Sequence, residues 1–161
     1  MRILIILTSE VIMLKRAERA KKLFETGLNC SQSVVVCFAD VLGLSETAAA
    51  KLSAGLGGGV GRQREVCGAV SGAAMVLGFV FGGADGTDKK RAYEKVREFS
   101  DEFKKRNRFI VCRQLLGLDE KERESAAPAE RTAEYYKRRP CADLVFDAAE
   151  ILEGMLCEAE P

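Results

Sequence analysis

The chain has no histidine in its 161 residues. That absence removes Ser–His and Cys–His catalytic pairs, histidine-ligated haem and every mixed Cys/His zinc site. An excess of charge of one sign is missing too, because 25 Lys and Arg against 24 Asp and Glu leave a net charge of +1. No basic field invites nucleic acid, and no acidic surplus marks a solvating tail. No two cysteines have CxxC spacing, so the local signature of zinc ribbons, thioredoxin motifs and bacterial ferredoxins is lacking. Alternating strand patterns bounded by turns do not occur beyond the first dozen residues, and no internal repeat is evident.

What is present is six cysteines, and any special chemistry falls to them. The start, Met1-Arg-Ile-Leu-Ile-Ile-Leu-Thr8, is charged and then apolar, but Glu10 interrupts it and no small-residue cleavage site follows before Lys15. This argues against a signal peptide. A cytoplasmic location is expected, where thiols stay reduced and a static disulfide framework is not the default. Metal ligation, redox cycling and plain burial remain. Residues 1–13 read as an extension or capping segment, with Met13 an alternative start. Residues 14–157 read as one helical redox domain, consistent with the length.

Helical periodicity organises the chain. Leu14, Ala17, Ala20, Leu23 and Phe24 repeat at helical spacing up to Gly27; Val34, Cys37, Phe38 and Val41 do so up to Gly43. Ser45 is the expected N-cap of a third, Ala-rich helix. Gly55 to Gly61 is too glycine-rich for regular structure. From Val66 to Ala84 there is no charge, which suits the buried centre of a bundle better than a membrane span, because the run holds many glycines and is barely long enough to cross. Gly68 and Gly72, one turn apart, would let a neighbouring helix approach closely. A long amphipathic helix begins near Thr87 or Asp88, with Tyr93, Val96, Phe99 and Phe103 on one face and Asp101 paired with Lys105. Asp119 to Arg138 reads as a surface loop with transient helix. Pro140 opens a last helix with the stripe Leu144, Val145, Ala148, Ile151, Leu152 and Met155. The expected fold is all-α: a single compact helical bundle around a small-residue-rich central helix.

Cys30, Cys67 and Cys141 each precede an apolar-periodic segment, and Cys112 lies at another helix junction. Helix N-termini favour thiolate over thiol, although cysteine is also simply a small buried hydrophobe. Cys37, on the apolar face of its helix, reads as packing, and Cys157 as an incidental thiol near the chain end. Arg62 and Arg64 beside the glycine run suit a solvated surface, or the offset of an anionic centre. The glycine run lacks the GxGxxG order and does not follow a strand, against dinucleotide binding. Asn29-Cys30-Ser31 matches a glycosylation sequon by chance.

Gly-Leu-Asn-Cys30, the glycine loop, Cys67-Gly-Ala-Val-Ser-Gly72, Cys112-Arg-Gln-Leu-Leu-Gly and the late Cys141 together resemble the redox-active proteins named for their cysteine pattern, C_GCAxxG_C_C. The resemblance runs from about Lys15 to Leu156. It maps the pattern's four cysteines to Cys30, Cys67, Cys112 and Cys141, and implies a helical fold, an anaerobic redox setting and an iron–sulfur centre. The leading expectation is an electron-transfer protein in which these four thiolates ligate the cluster and backbone N–H groups at Gly58, Gly59 and Gly68 tune it. Three alternatives stay open: a structural zinc site with the same four cysteines as ligands, a thiol–disulfide oxidoreductase or sensor in which Cys67 works with Cys30, Cys112 or Cys141, and an interaction module. An unidentified redox partner protein is expected, with no nucleic acid and no membrane span; homo-oligomerisation is left open.

Overall fold

The computed structural model describes residues 15–119 and 125–159, and the N-terminal extension expected over residues 1–13 lies outside them. The described residues form a helical bundle. Helix α1 covers residues 15–25, followed by α2 (Cys30–Cys37), α3 (Glu46–Ser53), a 3-10 turn (Ala54–Leu56) and the single glycine-rich turn α4 (Gly57–Val60). Then come α5 (Gly68–Phe81), α6 (Lys89–Asn107), the one-turn α7 (Cys112–Leu115), α8 (Ala133–Arg138) and α9 (Cys141–Ala159). No helix among the described residues is long and apolar enough to cross a membrane.

Local chemistry sets these boundaries. Asn29 opens α2 with a capping box: its side chain accepts from the Gln32 backbone N–H while the Gln32 side chain accepts from the Asn29 N–H. Ser45 caps α3 by accepting from Ala48, and Gly27 leaves α1 at φ +124°. Two buried hydroxyls are satisfied within the fold, Ser31 donating to the Ser53 carbonyl at 2.8 Å and Ser53 to that of Ala49 at 2.7 Å.

Helix α5 lies at the centre, packed on α2, α6 and α9. The small residues on its first two turns explain the contact with α2. A Cβ on Gly72 would stand 3.0 Å from the Ser31 carbonyl oxygen and 3.2 Å from Val35 Cγ2, closer than packed atoms allow without movement. The far end of α5 emerges from the core, with Phe79 60% exposed. On α6, Phe99 and Phe103 are fully buried and stacked with centroids 6.1 Å apart, each burial contributing about 2–3 kcal/mol. Two expectations for this helix fail. Tyr93 is 64% exposed, off the core face, and Asp101 pairs with Lys104 while Lys105 pairs with Glu102, both at i,i+3. The apolar stripe of α9 is buried from Leu144 to Met155. Arg16 on α1 ties the bundle ends together, gripping Asp40 with two hydrogen bonds at 2.8 Å and the nearly buried Glu153 of α9 at 3.0 Å.

Candidate functional site: four cysteines on one cavity

Each of four cysteines stands at the start of a helix. Cys30, Cys112 and Cys141 are the first residues of α2, α7 and α9, and Cys67 is the N-cap of α5. Cys30 is set by the Asn29 cap, whose amide also donates to the Ala54 carbonyl at 2.9 Å. The chain then passes so close that a Cβ on Gly57 would meet Asn29 Cγ at 2.5 Å. A Cβ on Gly68, the residue after Cys67, would run into Cys30 Sγ. The glycines one turn apart on α5 thus bring the starts of α2 and α5 together, and with them two thiols.

Cys67 and Cys112 are joined through the backbone. Val66 and Val111 form an isolated antiparallel bridge, flanked by Cys67 N–H donating to the Ile110 carbonyl at 2.8 Å and Cys112 N–H donating to that of Glu65 at 2.6 Å. The approach needs the glycine turn: Gly59 sits at φ +67°, and a Cβ there would meet Cys112 Cβ and Glu65 N at 2.8 Å. Val60, Arg62 and Arg64 also lie in the left-handed region, at φ +55°, +65° and +63°. That conformation is costly for residues other than glycine, so the segment is held by its surroundings. Sequence patterning left this stretch irregular; the structure gives it a tight, strained course.

Cys30, Cys67, Cys112 and Cys141 all line one cavity of about 340 Å³. Gly58 lines it too, whereas Gly59 and Gly68 back the cysteines from outside. Cys37 is buried in the apolar core and Cys157 is exposed, both away from this cavity. Cys30, Cys67, Cys112 and Cys141 are not joined by disulfides. Among the described residues no group of three or more cysteine or carboxylate side chains stands ready as the shell of a single metal ion.

Burial dominates the electrostatics. It pushes the Cys67 thiol well above its ordinary pKa, with Cys30 adding to the rise and the N–H groups of Ala69 and Val70 opposing it. Cys141 is pushed up to about 12, by burial first and then by Cys30 and Cys112. Cys112 is raised by burial against the pull of Arg64. For Cys67 and Cys141 the expectation that a helix N-terminus favours thiolate is therefore corrected: the first-turn N–H groups do act on Cys67, but desolvation outweighs them. Without a bound cation, Cys67, Cys112 and Cys141 are protonated at neutral pH.

A buried charged group stands beside the cysteines. Arg64 is only 3% exposed, and its Nη1 lies 3.8 Å from Cys112 Sγ. It is not the solvated arginine that its surroundings in the sequence suggested as the commoner case. Arg62 stays nearer the surface, donating from Nε to the Ser125 carbonyl. The bridge between Val66 and Val111 went unread because two residues are too few for an alternating pattern; the only trace of it is the apolar run Phe109-Ile-Val before Cys112.

The donor set is chemically suited to a thiophilic metal centre. It offers four soft sulfurs from four segments, first-turn N–H groups directed at one of them, and a buried guanidinium to offset negative charge. No curated protein and no solved structure matches the chain significantly. Residues 28–155 match the family model described as "Putative redox-active protein (C_GCAxxG_C_C)", a span that includes all four cavity cysteines. With most of its length matched, the chain belongs to the C_GCAxxG_C_C family, and its role is redox chemistry centred on cysteine.

Proposed function

We propose that the protein transfers electrons through an iron–sulfur cluster ligated by Cys30, Cys67, Cys112 and Cys141. The observation that carries this reading is the convergence of the four thiols on one cavity against the buried Arg64. When bound, such a cluster supplies a one-electron couple whose potential responds to charge, hydrogen bonds and burial. The chain's own residues do the rest. The cysteines give up their protons on ligation, Ala69 and Val70 N–H groups hold the Cys67 sulfur, and Arg64 favours the more negative charge state from beside Cys112. The burial of Cys67, Cys112 and Arg64 strengthens each of these interactions.

Two features favour a cluster over the alternatives. A single zinc ion, with Zn–S near 2.3 Å, needs its sulfurs within roughly 4 Å of one another, and no three of these thiols stand as such a shell. A cluster with several irons tolerates wider spacing. A dithiol exchange centre needs an attacking thiolate, and burial works against that at Cys67, Cys112 and Cys141.

The test is reconstitution with iron and sulfide without oxygen, followed by iron and sulfide analysis and visible spectra. The expected product is brown and bleaches on reduction. Cys30→Ala, Cys67→Ala, Cys112→Ala and Cys141→Ala each lose most of the colour, while Cys37→Ala and Cys157→Ala keep it. A colourless protein with one tightly bound zinc would replace the cluster with a structural metal. A metal-free protein with a reversible two-electron thiol couple that vanishes in Cys67→Ala would establish the dithiol reading.

A further inference from the structure

The cavity extends beyond the sulfurs, and its outer wall has a chemistry that ligating four cysteines does not need. Besides Arg64, three arginines line it: Arg62, Arg131 and Arg139. No Asp or Glu lines it among the described residues. Arg131 and Arg139 both stack on one ring, each with its guanidinium carbon 4.9 Å from the Tyr135 centroid. The two cations are therefore at most about 10 Å apart. Arg131 is fixed in place, lying over Phe24 at 4.5 Å and donating to the Phe24 and Leu28 carbonyls at 3.3 and 3.4 Å. Arg139 makes no hydrogen bond or ion pair among the described residues; the Tyr135 ring is its described contact. It sits two residues before Cys141. With no carboxylate among the described residues that line the cavity, the two guanidiniums gathered around one ring repel each other, and an anion touching both would offset that repulsion. Apart from Asn29, Tyr135 and the cysteines, the rest of the wall is apolar, including Phe24, Leu115, Pro128 and Leu144.

We infer that this cavity binds a small organic anion, whose charged head rests on Arg131 and Arg139 and whose apolar body lies along Phe24 and Leu115 toward the cysteines. The ligand class is an organic carboxylate, sulfonate or phosphate with a non-polar part. The volume, about 340 Å³, is in the range of small-ligand sites, which are largely apolar with a few directing polar groups. Only the ligand's role, as a molecule placed beside a redox centre, rests on the cluster reading; its binding does not.

Phenyl phosphate is the probe, with phenol and inorganic phosphate as its two halves, titrated calorimetrically into metal-free and iron-loaded protein. Phenyl phosphate is expected to bind saturably, and each half at least roughly tenfold more weakly, as loss of one charge-assisted contact implies. Arg139→Gln should weaken phenyl phosphate roughly tenfold or more, and Arg139→Lys should keep most of the affinity. Arg131→Gln should do the same as Arg139→Gln, provided circular dichroism shows the fold retained. Unchanged affinity in a folded Arg139→Gln protein would overturn the inference, as would inorganic phosphate binding as tightly as phenyl phosphate, or no saturable binding by phenyl phosphate. Iron content is measured on the same samples. Wild-type protein that binds phenyl phosphate yet takes up no iron supports the anion site and removes the cluster reading, so the two fail separately.

Discussion

The sulfur of Cys30 occupies the space in which a side chain at Gly68 would stand. This contact joins the start of α2 to the start of α5 and sets the distance between two of the four thiols. Gly68→Ala should therefore displace Cys30 and lower stability by about 1–3 kcal/mol. Gly78, on the same helix, has nothing within 4 Å of its missing Cβ. Gly78→Ala should stabilise by about 0.5–1 kcal/mol, the ordinary helix-interior gain. Urea denaturation of the two variants should move in opposite directions; a shared sign would mean that the Gly68 contact does not set the packing.

The raised thiol pKa values make the stability of the metal-free protein depend on pH in one direction. Cys37 is held at about 11 and Cys141 at about 12, and Cys67 and Cys112 are also raised. Between the unfolded value near 8.5–9 and these folded values, the unfolded chain gives up thiol protons that the folded chain keeps. Stability is thus fully present below about pH 8.5 and falls as pH climbs toward 12. Denaturation midpoints at pH 8 and pH 10 should show the loss, and Cys37→Ser should reduce it. A midpoint that rises over this interval would refute the burial argument.

Metal loading must displace those protons. At pH 7.5, ligation should release one proton each from Cys67, Cys112 and Cys141, measurable by calorimetry in buffers of different ionisation enthalpy. Apparent affinity should accordingly fall steeply from pH 8 to pH 6. Weak pH dependence would imply that these thiols are already ionised.

Thiol reactivity should be ordered by access. Cys157 is exposed, whereas Cys37, Cys67 and Cys112 are 3%, 5% and 7% exposed. An aromatic disulfide reagent at pH 8 should react fastest with Cys157, in a phase that disappears in Cys157→Ser, more slowly with the half-buried Cys30 and Cys141, and slowest with Cys37, Cys67 and Cys112. Several fast phases in Cys157→Ser protein would show that the cavity opens readily.

Much of the helical layout was legible because its signals are local. Ser45 has the side chain of an N-cap, Gly27 follows the end of α1 at positive φ, and the stripe from Leu144 to Met155 keeps one face over about three turns; α2, by contrast, ends at Cys37, short of the Gly43 to which its apolar period ran. The helix-start positions of the four cysteines were legible for the same reason. Arrangements that depend on distant chain were not. The Val66–Val111 pair, the burial of Arg64 and the stacking of Arg131 and Arg139 on Tyr135 each arise from where other helices come to rest. Thiol ionisation was misjudged for the same reason: helix N-terminal position can be read along the chain, but the depth of burial that overrides it cannot. On α6, Tyr93 fits the apolar period yet faces out, because at that end of the helix the buried position is Ala92.

The strain in the glycine turn can be released by substitution. Val60 is a β-branched residue at φ +55° and is 39% exposed, so its side chain gives little burial in return. Val60→Gly should remove about 1–2 kcal/mol of left-handed strain, partly offset by the added freedom of the unfolded chain. A modest rise in melting temperature is expected, and a fall would show that Val60 packs more than its exposure suggests.

The bridge between Val66 and Val111 also bears on how the molecule comes apart. It is a non-local clasp of only a few backbone hydrogen bonds, whereas the helices it joins are knit by many local ones. Local opening that breaks the clasp would separate Cys67 from Cys112 while leaving α5 and α6 wound. A centre bound to both cysteines would thus act as a lock across this seam, and the amide of Cys112 should exchange with solvent far more slowly once that centre is in place.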